Sequence, residues 1–330
     1  MNPYAAIARY RRRYYAERPD LQRHLARPVI SVGNVAVGGR GKTPLVAQIA
    51  AMLRDAGERP AILTRGYARA RHQDGVVVVR DPWGIRADVE RAGDEPTMLA
   101  RQLDGVAVLT SPNRYVAGRL AEHHFGCTVH VLDDGFQHFA LYRDVDVVIV
   151  SEADAGEART LPLGRLREPL DALESADAII AVGTVEVPAG TTVFHARARM
   201  ERPVLVTGTP DRSSEPLHPD CGCVALAGIA QPERFFGGLR AMGWPIAREI
   251  AYPDHHRYAP RDIQRLVLTA HADGSDLIVT TEKDLVRLLP YRPLGVRLAV
   301  APLRIEIQPE EGFDDWVYTR IENARTGAAA

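Results

Sequence analysis

The sequence has few cysteines, little net charge and no long apolar run, and each of these shortages excludes a class of protein. Its cysteines are Cys127, Cys221 and Cys223; the last two are separated by a single residue, the wrong spacing for a zinc knuckle, and no disulfide framework is implied. Such a chain fits a reducing compartment, most simply the cytoplasm. The formal net charge is −1, so no overall electrostatic field indicates a nucleic-acid partner.

No stretch approaches the roughly 18 apolar residues of a membrane-spanning helix. The N-terminus does not resemble a signal peptide either, because arginines and tyrosines stand where the apolar region would be. Residues 1–27 are instead predicted to contain a short basic and aromatic helix that suits a membrane surface, where rings and guanidinium groups lie at headgroup level. A solvated basic helix is the alternative that this segment leaves open.

Strand and helix patterns alternate over residues 28–192. Apolar runs such as Pro28–Gly33, Val129–Leu132 and Val145–Val150 predict strands, and Pro44–Ala56 predicts the helix that follows the first of them. This alternation predicts an α/β fold, with a parallel sheet covered by helices on both faces.

A second set of patterns begins near residue 224 and predicts a smaller α/β unit. Val193–Met200 and Leu303–Ile307 flank this unit in sequence, and both have the pattern of extended segments. We predict that they pair as a two-stranded linker. The chain would then consist of the N-terminal helix (1–27), a larger domain (28–192), and linker strands with a smaller C-terminal domain (193–330).

The strongest local motif runs from Ser31 to Pro44, between a predicted buried strand and a predicted helix. This is the context of a phosphate-binding P-loop, whose backbone N–H groups face a phosphate at a helix N-terminus. Lys42 would reach the β- and γ-phosphates of ATP, and the Thr43 hydroxyl would coordinate Mg²⁺. The predicted nucleotide-binding residues are Ala36, Val37, Gly38, Gly39, Arg40, Gly41, Lys42 and Thr43, with Ala36 where such loops usually carry glycine.

Carboxylates follow at places where a P-loop enzyme needs them. Asp133 and Asp134 come directly after the strand Val129–Leu132, where the second magnesium-holding group of such enzymes lies; an ordinary turn is the alternative. Asp94 precedes a predicted helix. It is therefore either the N-cap of that helix or the general base for an acceptor hydroxyl, and spacing does not separate the two roles.

Arginine and histidine complete the candidate site. Arg167 would stabilise charge on a transferring phosphate, with a surface ion pair as the alternative. His255 lies beside Asp254 and His256 in a predicted loop of the second unit. Two histidines next to an aspartate in a loop favour a functional site over a structural role.

Taken together, these segments resemble the tetraacyldisaccharide 4′-kinase family of lipid A biosynthesis. The matches run in the family's order from residue 31 to about residue 290, and the run Asp133–His138 is the most specific of them. The matching segments are Gly33–Val35 with Lys42–Pro44, Arg65–Tyr67, Gly93–Pro96, Asp133–His138, Leu166–Pro169, Gly228–Phe236, Pro253–His256 and Thr280–Asp284.

The resemblance implies a two-domain P-loop kinase at the cytoplasmic face of the inner membrane of a Gram-negative bacterium. It implies transfer of the γ-phosphate of ATP, with Mg²⁺, to the 4′-hydroxyl of an acylated glucosamine disaccharide 1-phosphate, and it leaves protein partners open. Asp94 would be the base, paired with His255 across the cleft. The implied catalytic residues are Asp94, His255, Lys42 and Arg167; the metal residues are Thr43, Asp133, Asp134 and Glu95; Asn34, Gln137, His138 and Glu168 would lie close by.

Two other functions stay open at this point. Partitioning ATPases, which act as switches at membrane surfaces, have a similar loop, but they carry a lysine directly before the paired glycines, where this chain has Val37. A kinase of a soluble sugar or nucleoside is the second alternative. The N-terminus favours an anionic lipid acceptor, because arginine pairs with phosphate bidentately and tyrosine packs on acyl chains.

Overall fold

The computed structural model describes residues 2–38, 41–66, 69, 74–206, 213–219 and 222–327. In these residues the helices are α1 Pro3–Ala16, α2 Lys42–Asp55, α3 Val89–Ala92, α4 Asp94–Gln102, α5 Arg114–Phe125, α6 Glu152–Ala155, α7 Pro232–Ala241, α8 Pro260–Ala272, α9 Glu282–Leu288 and α10 Glu310–Thr326. The strands are β1 Val29–Gly33, β2 Pro60–Thr64, β3 Val77–Asp81, β4 Gly84–Ile85, β5 Ala107–Thr110, β6 Val129–Asp133, β7 Val145–Ser151, β8 Ala178–Val182, β9 Thr192–Met200, β10 Val204–Val206, β11 Ser213–Pro216, β12 Cys223–Ala227, β13 Ile246–Ala251, β14 Leu277–Thr281, β15 Arg297–Ala301 and β16 Leu303–Gln308.

The larger sheet has the order β16-β9-β8-β7-β1-β6-β2-β5-β3-β4. Its strands are parallel from β9 to β5 and antiparallel at both edges. Successive side chains of β1 point to opposite faces, so Ile30 and Val32 join the core beneath α2, whereas Val29 joins the core beneath α5. The predicted parallel sheet with helices on both faces is confirmed.

The smaller sheet has the order β11-β10-β15-β14-β12-β13. Helix α7 packs on one face through Phe235, Phe236 and Leu239, and α8 packs on the other through Ile263 and Leu266. The predicted smaller α/β unit is therefore present, and it has a hydrophobic core on each side of its sheet.

The two predicted linker segments pair with each other. Strands β9 and β16 are antiparallel, with Met200 opposite Leu303 and His195 opposite Gln308. Because β9 also pairs with β8, the linker extends the larger sheet. Helix α10 then packs into the larger core through side chains that include Phe313, so the end of the chain returns to the first unit. The domain limits at residues 27 and 192 stay predictions.

The predicted N-terminal helix is present but short. It ends at Ala16, shortly before Pro19, which opens a separate 3₁₀ turn over Pro19–Leu21. Proline lacks the backbone N–H that a continuing helix would need. In the described part of the chain, no helix combines the length and apolar character needed to cross a bilayer.

Candidate active site

The site begins at the carboxyl ends of β1 and β6, which are neighbours in the sheet. The P-loop follows β1, and the Asp133–His138 turn follows β6. Gly33 allows them to meet closely, since a Cβ at this position would lie 2.4 Å from the Cβ of Phe136. The strand order thus brings the two strongest sequence motifs into contact.

The described glycines Gly38 and Gly41 of the P-loop lie where the backbone requires them. Gly38 and Gly41 have φ values of 112° and 87°, which favour a residue without a Cβ. Ala36 is buried, bridges to Leu166 and is not among the described residues with positive φ. Alanine therefore fits the position where such loops usually carry glycine. The predicted ligands Gly39 and Arg40, and Tyr67 of the Arg65–Tyr67 motif, lie outside the described residues.

The N-terminus of α2 is suited to an anion. Its N-cap is Gly41, and among the described residues no side chain caps this end of the helix. The first N–H groups of a helix, together with its dipole, attract phosphate. Thr43, in the first turn, is half-buried.

Lys42 and Arg167 converge on Asp134. The Lys42 Nζ donates to Asp134 Oδ1 at 2.7 Å and to Asn34 Oδ1 at 2.9 Å. Arg167 Nη1 donates to both carboxylate oxygens of Asp134, at 2.9 and 2.7 Å. Burial raises the pKa of Asp134, but these two cations lower it to about 2. Two fixed cations thus hold an oxyanion at the P-loop, as phosphate binding requires.

The surroundings of Asp133 raise its pKa, in contrast to those of Asp134. It is buried, and the Thr64 hydroxyl donates to its Oδ2 at 3.4 Å. Burial, followed by the negative charges of Glu95 and Asp134, raises the pKa of Asp133 to about 7. Carboxylates this close repel one another unless a cation lies between them, so the donor set fits Mg²⁺. In the described ranges, no group of three or more His, Cys, Asp or Glu side chains is arranged to hold a metal ion.

Asp94 is not the N-cap of its helix. Gly93 holds that position, with φ 92°, and Asp94 is the first residue of α4. The buried Asp94 carboxylate faces the smaller unit, where it receives His255 Nδ1 at 2.7 Å and both Nε and Nη2 of Arg287, the first at 2.5 Å. Burial raises the pKa of Asp94, but the bonds from His255 and Arg287 outweigh it and leave the pKa below its usual value. Asp94 is therefore ionised at neutral pH, as a base must be.

Lys283 determines which nitrogen of His255 carries the proton. Its Nζ lies 2.7 Å from Asp254 Oδ1 and 3.2 Å from His255 Nε2. An ammonium group only donates, so Nε2 accepts and Nδ1 carries the proton given to Asp94. The chain has only two lysines, Lys42 and Lys283, and both lie in this site.

The remaining predicted residues surround the P-loop. Gln137 Nε2 donates to the Asn34 carbonyl at 2.8 Å and to Glu168 Oε2 at 3.1 Å. His138 is half-buried, and burial together with positive charges, of which Arg114 has the largest effect, lowers its pKa to about 4. The imidazole of His138 is therefore neutral at pH 7.

Four cationic residues of the site were not predicted as functional from the sequence. Arg12 contacts Glu168, Arg287 and Lys283 surround Asp94 and His255, and Arg114 is buried near Asp133 and Asp134. Burial is the main factor that lowers the pKa of Arg114, to about 10, and its Nε has no hydrogen-bond partner among the described residues. Two of them carried a usable signal: Lys283 lies in the matching segment Thr280–Asp284, and Arg114 follows an apolar run that predicts a strand.

The family model for tetraacyldisaccharide-1-P 4′-kinase matches residues 2–322. The chain belongs to this family. Family members include tetraacyldisaccharide 4′-kinases of Syntrophus aciditrophicus, 36% identical (89% of this chain, 84% of the relative), and Geobacter sulfurreducens, 37% identical (93% and 87%). That of Anaeromyxobacter sp. strain Fw109-5 is 41% identical (87% and 80%). A crystal structure of LpxK from Aquifex aeolicus in complex with ATP superposes with a TM-score of 0.81 at 29% identity over 96% of both chains. The family and the kinase class that the motifs indicated are confirmed.

Proposed function

We propose that this protein transfers the γ-phosphate of ATP to the 4′-hydroxyl of tetraacyldisaccharide 1-phosphate in lipid A biosynthesis. One observation carries the proposal: a buried Asp94 that is bonded by His255 lies next to Glu95, whose charge acts on Asp133, and Asp133 adjoins the Asp134 carboxylate on which Lys42 and Arg167 are fixed. Family membership supplies the identity of the acceptor.

The residues of the P-loop side bind and neutralise the nucleotide. Lys42 exchanges its partner Asp134 for the β- and γ-phosphate oxygens, and the N-terminus of α2 donates backbone N–H groups to them. Arg167, already in contact with Asp134, stabilises negative charge on the transferring group. Thr43, Asp133, Asp134 and Glu95 would hold Mg²⁺, which neutralises charge on the phosphates when bound.

Asp94 acts on the acceptor. One of its carboxylate oxygens takes the proton of the 4′-hydroxyl. At the same time the hydroxyl oxygen forms its bond to the γ-phosphorus, and the bond from this phosphorus to the ADP oxygen breaks. His255 donates Nδ1–H to Asp94 and holds the carboxylate in place. The proton therefore ends on Asp94, and water receives it after product leaves.

Helix α1 would place the enzyme at the inner membrane surface, on the cytoplasmic side where ATP is available. Tyr4, Ile7 and Tyr10 recur at helical spacing and are exposed, Ile7 by 66% and Tyr10 by 67%. Exposed apolar and aromatic side chains among arginines are typical of a helix that lies on an anionic bilayer. This face could meet the same membrane that holds the acylated substrate.

The deciding experiment is to incubate the protein with ATP, Mg²⁺ and the tetraacyldisaccharide 1-phosphate and to measure the lipid by mass spectrometry. We expect a product heavier by one phosphoryl group from the wild type and none from Lys42→Ala. Glucosamine and other soluble sugars form the comparison arm. Equal turnover of a soluble sugar would favour the alternative kinase function, and near-normal turnover by Lys42→Ala would contradict the P-loop assignment.

A further inference from the structure

We infer that Arg12 of helix α1 is a positioning residue for the nucleotide site, so that the N-terminal helix completes the ATP-binding loop as well as facing the membrane. The inference rests on the proposed function only in taking the P-loop as an ATP site. It concerns the side of α1 opposite to the one proposed for the bilayer.

Helix α1 is docked on the segment that carries Arg167 and Glu168. Asn2, its N-cap, donates to Thr160 Oγ1 at 2.7 Å and to the Leu161 carbonyl at 3.0 Å. Farther along, the Tyr15 ring stacks on Phe139, with centroids 5.8 Å apart. The helix therefore has fixed contacts with the protein along its length, which a helix serving only as a membrane anchor would not need.

The central contact of this docked side is a shielded ion pair. Arg12 Nε and Nη2 donate to the two carboxylate oxygens of Glu168, at 3.1 and 2.6 Å. The side chains of Arg12 and Glu168 are 16% and 4% exposed. A two-pronged arginine–carboxylate pair fixes the orientation of both groups, and removal of one partner leaves the other charge buried.

A polar route leads from this pair to the P-loop. Glu168 Oε2 also accepts from Gln137, and Gln137 donates to the carbonyl of Asn34, the first residue of the P-loop. The side chain of Asn34 in turn accepts from the phosphate lysine, Lys42. Each residue on this route is bonded to the one before it and to the one after it, so a shift of Arg12 would be passed on toward Lys42.

An apolar route runs beside the polar one. The Arg12 guanidinium lies 4.1 Å from the centroid of the Phe136 ring, and Phe136 is fully buried against Gly33, the last residue of β1 before the P-loop. Backbone contacts reinforce both routes, since the N–H groups of Arg167 and Glu168 donate to the Val35 carbonyl. The position of α1 therefore affects residues 33–35 through contacts at Gly33 and at Val35.

The test measures the dissociation constant of Mg²⁺–ATP by calorimetry, without lipid, below the melting temperature of each variant. Arg12→Ala should weaken ATP binding by about tenfold, within the range of residues that act through such networks, while the KM for the lipid acceptor changes little. The ATP affinity of Arg12→Lys should fall between those of the wild type and Arg12→Ala, because lysine keeps the charge but cannot donate two parallel hydrogen bonds to Glu168. Unchanged ATP affinity in either variant would overturn the inference.

The matched control is Arg325→Ala. Arg325 also ties a terminal helix to the larger unit through an ion pair, with Glu58 at 2.8 Å, but this pair does not reach the P-loop, so ATP affinity should stay at the wild-type value. A double-mutant cycle adds a second criterion: in a Glu168→Ala background, Arg12→Ala should cost little more. Additive losses would overturn the inference. ATP binding is measured apart from turnover, so failure of the proposed function and failure of this inference give different results.

Discussion

The site holds two of its residues in a backbone conformation that is rare for side chains with a Cβ. Asp134 and His255 have φ values of 58° and 60°, and they are the non-glycine residues with positive φ among those that the structure describes. Such a conformation costs about 1–3 kcal/mol and persists where the surroundings fix it. Lys42 and Arg167 fix Asp134, and Asp94 and Lys283 fix His255.

At the same scale, Lys283 should control the proton on His255. Lys283→Met removes the donor to Nε2, so this nitrogen is free to take up a second proton, and an imidazolium beside Asp94 makes that carboxylate a weaker base. We expect kcat to fall by roughly tenfold or more, as for other losses in acid–base groups, with little change in the KM for ATP. Steady-state kinetics and the ¹⁵N chemical shifts of His255 measure both effects.

Lys283→Arg is the matched control because it keeps a cationic donor beside Asp254. It should retain more activity than Lys283→Met. If Lys283→Met kept wild-type kcat and the same nitrogen shifts, the tautomer assignment would be wrong.

The site residues that were predictable from the sequence differ in their local sequence context from those that were not. Asp133 ends a strand, Asp134 and Asp94 stand next to glycines at the ends of regular elements, and Lys42 belongs to a motif with a mechanism. Arg12 and Arg287 lie inside helices of a chain in which nearly every basic residue is an arginine. Their partners, Glu168 and Asp94, are far away in sequence, so no local pattern distinguishes them from surface arginines.

At the scale of elements, the proposed membrane contact and the proposed support of the ATP site lie on two sides of α1. The double variant Ile7→Glu/Tyr10→Glu places charge on the exposed side only. It should reduce co-sedimentation with vesicles of anionic phospholipid, whereas the affinity for Mg²⁺–ATP should not change. Tyr10→Phe, which keeps the ring, is the control, and unaltered co-sedimentation of the double variant would contradict the membrane assignment.

Helix α10 should stabilise the larger unit although it follows the smaller one in sequence. The fully buried ring of Phe313 packs edge-on against Phe194 of β9, with centroids 5.1 Å apart. Phe313→Ala should lower the free energy of unfolding by about 3–5 kcal/mol, the usual cost of emptying such a site. Urea denaturation measures this. A change below about 1 kcal/mol would show that α10 is not part of this core.

Long apolar strands were predictable as elements because burial on both faces gives continuous runs of Val, Ile and Leu. The edge strand β13, which pairs parallel with β12, and the helices α9 and α10 were not predicted. Residues of β13 are partly buried or exposed, with charges among them, and α9 is only seven residues long. Tertiary contacts, rather than local pattern, determine these elements.

On the scale of the whole molecule, the two units are joined by specific side-chain contacts among the described residues. Besides the Asp94 cluster, Gln102 of α4 donates to Glu282 of α9 at 2.7 Å, and Glu282 also accepts from the backbone N–H of Leu303 at 3.0 Å. Asp94 of the larger unit is bonded by two residues of the smaller one, so the proposed base and its supports come from different units. The proposed catalytic pair is therefore assembled only when the units are in contact.

Acid should weaken this contact, since it depends on the ionised carboxylate of Asp94. Because the pKa of Asp94 is lower in the folded protein than its usual value, the group contributes stability above about pH 4, and this contribution is lost as the pH falls through the folded value. The urea concentration at the midpoint of unfolding of the wild type should therefore fall as the pH is lowered from about 5 to about 3. Asp94→Asn, which cannot ionise, should start lower and lose less over the same interval, so that the two midpoints converge in acid. Parallel decline of both proteins would mean that Asp94 contributes no pH-dependent stability and that other carboxylates account for the whole acid transition.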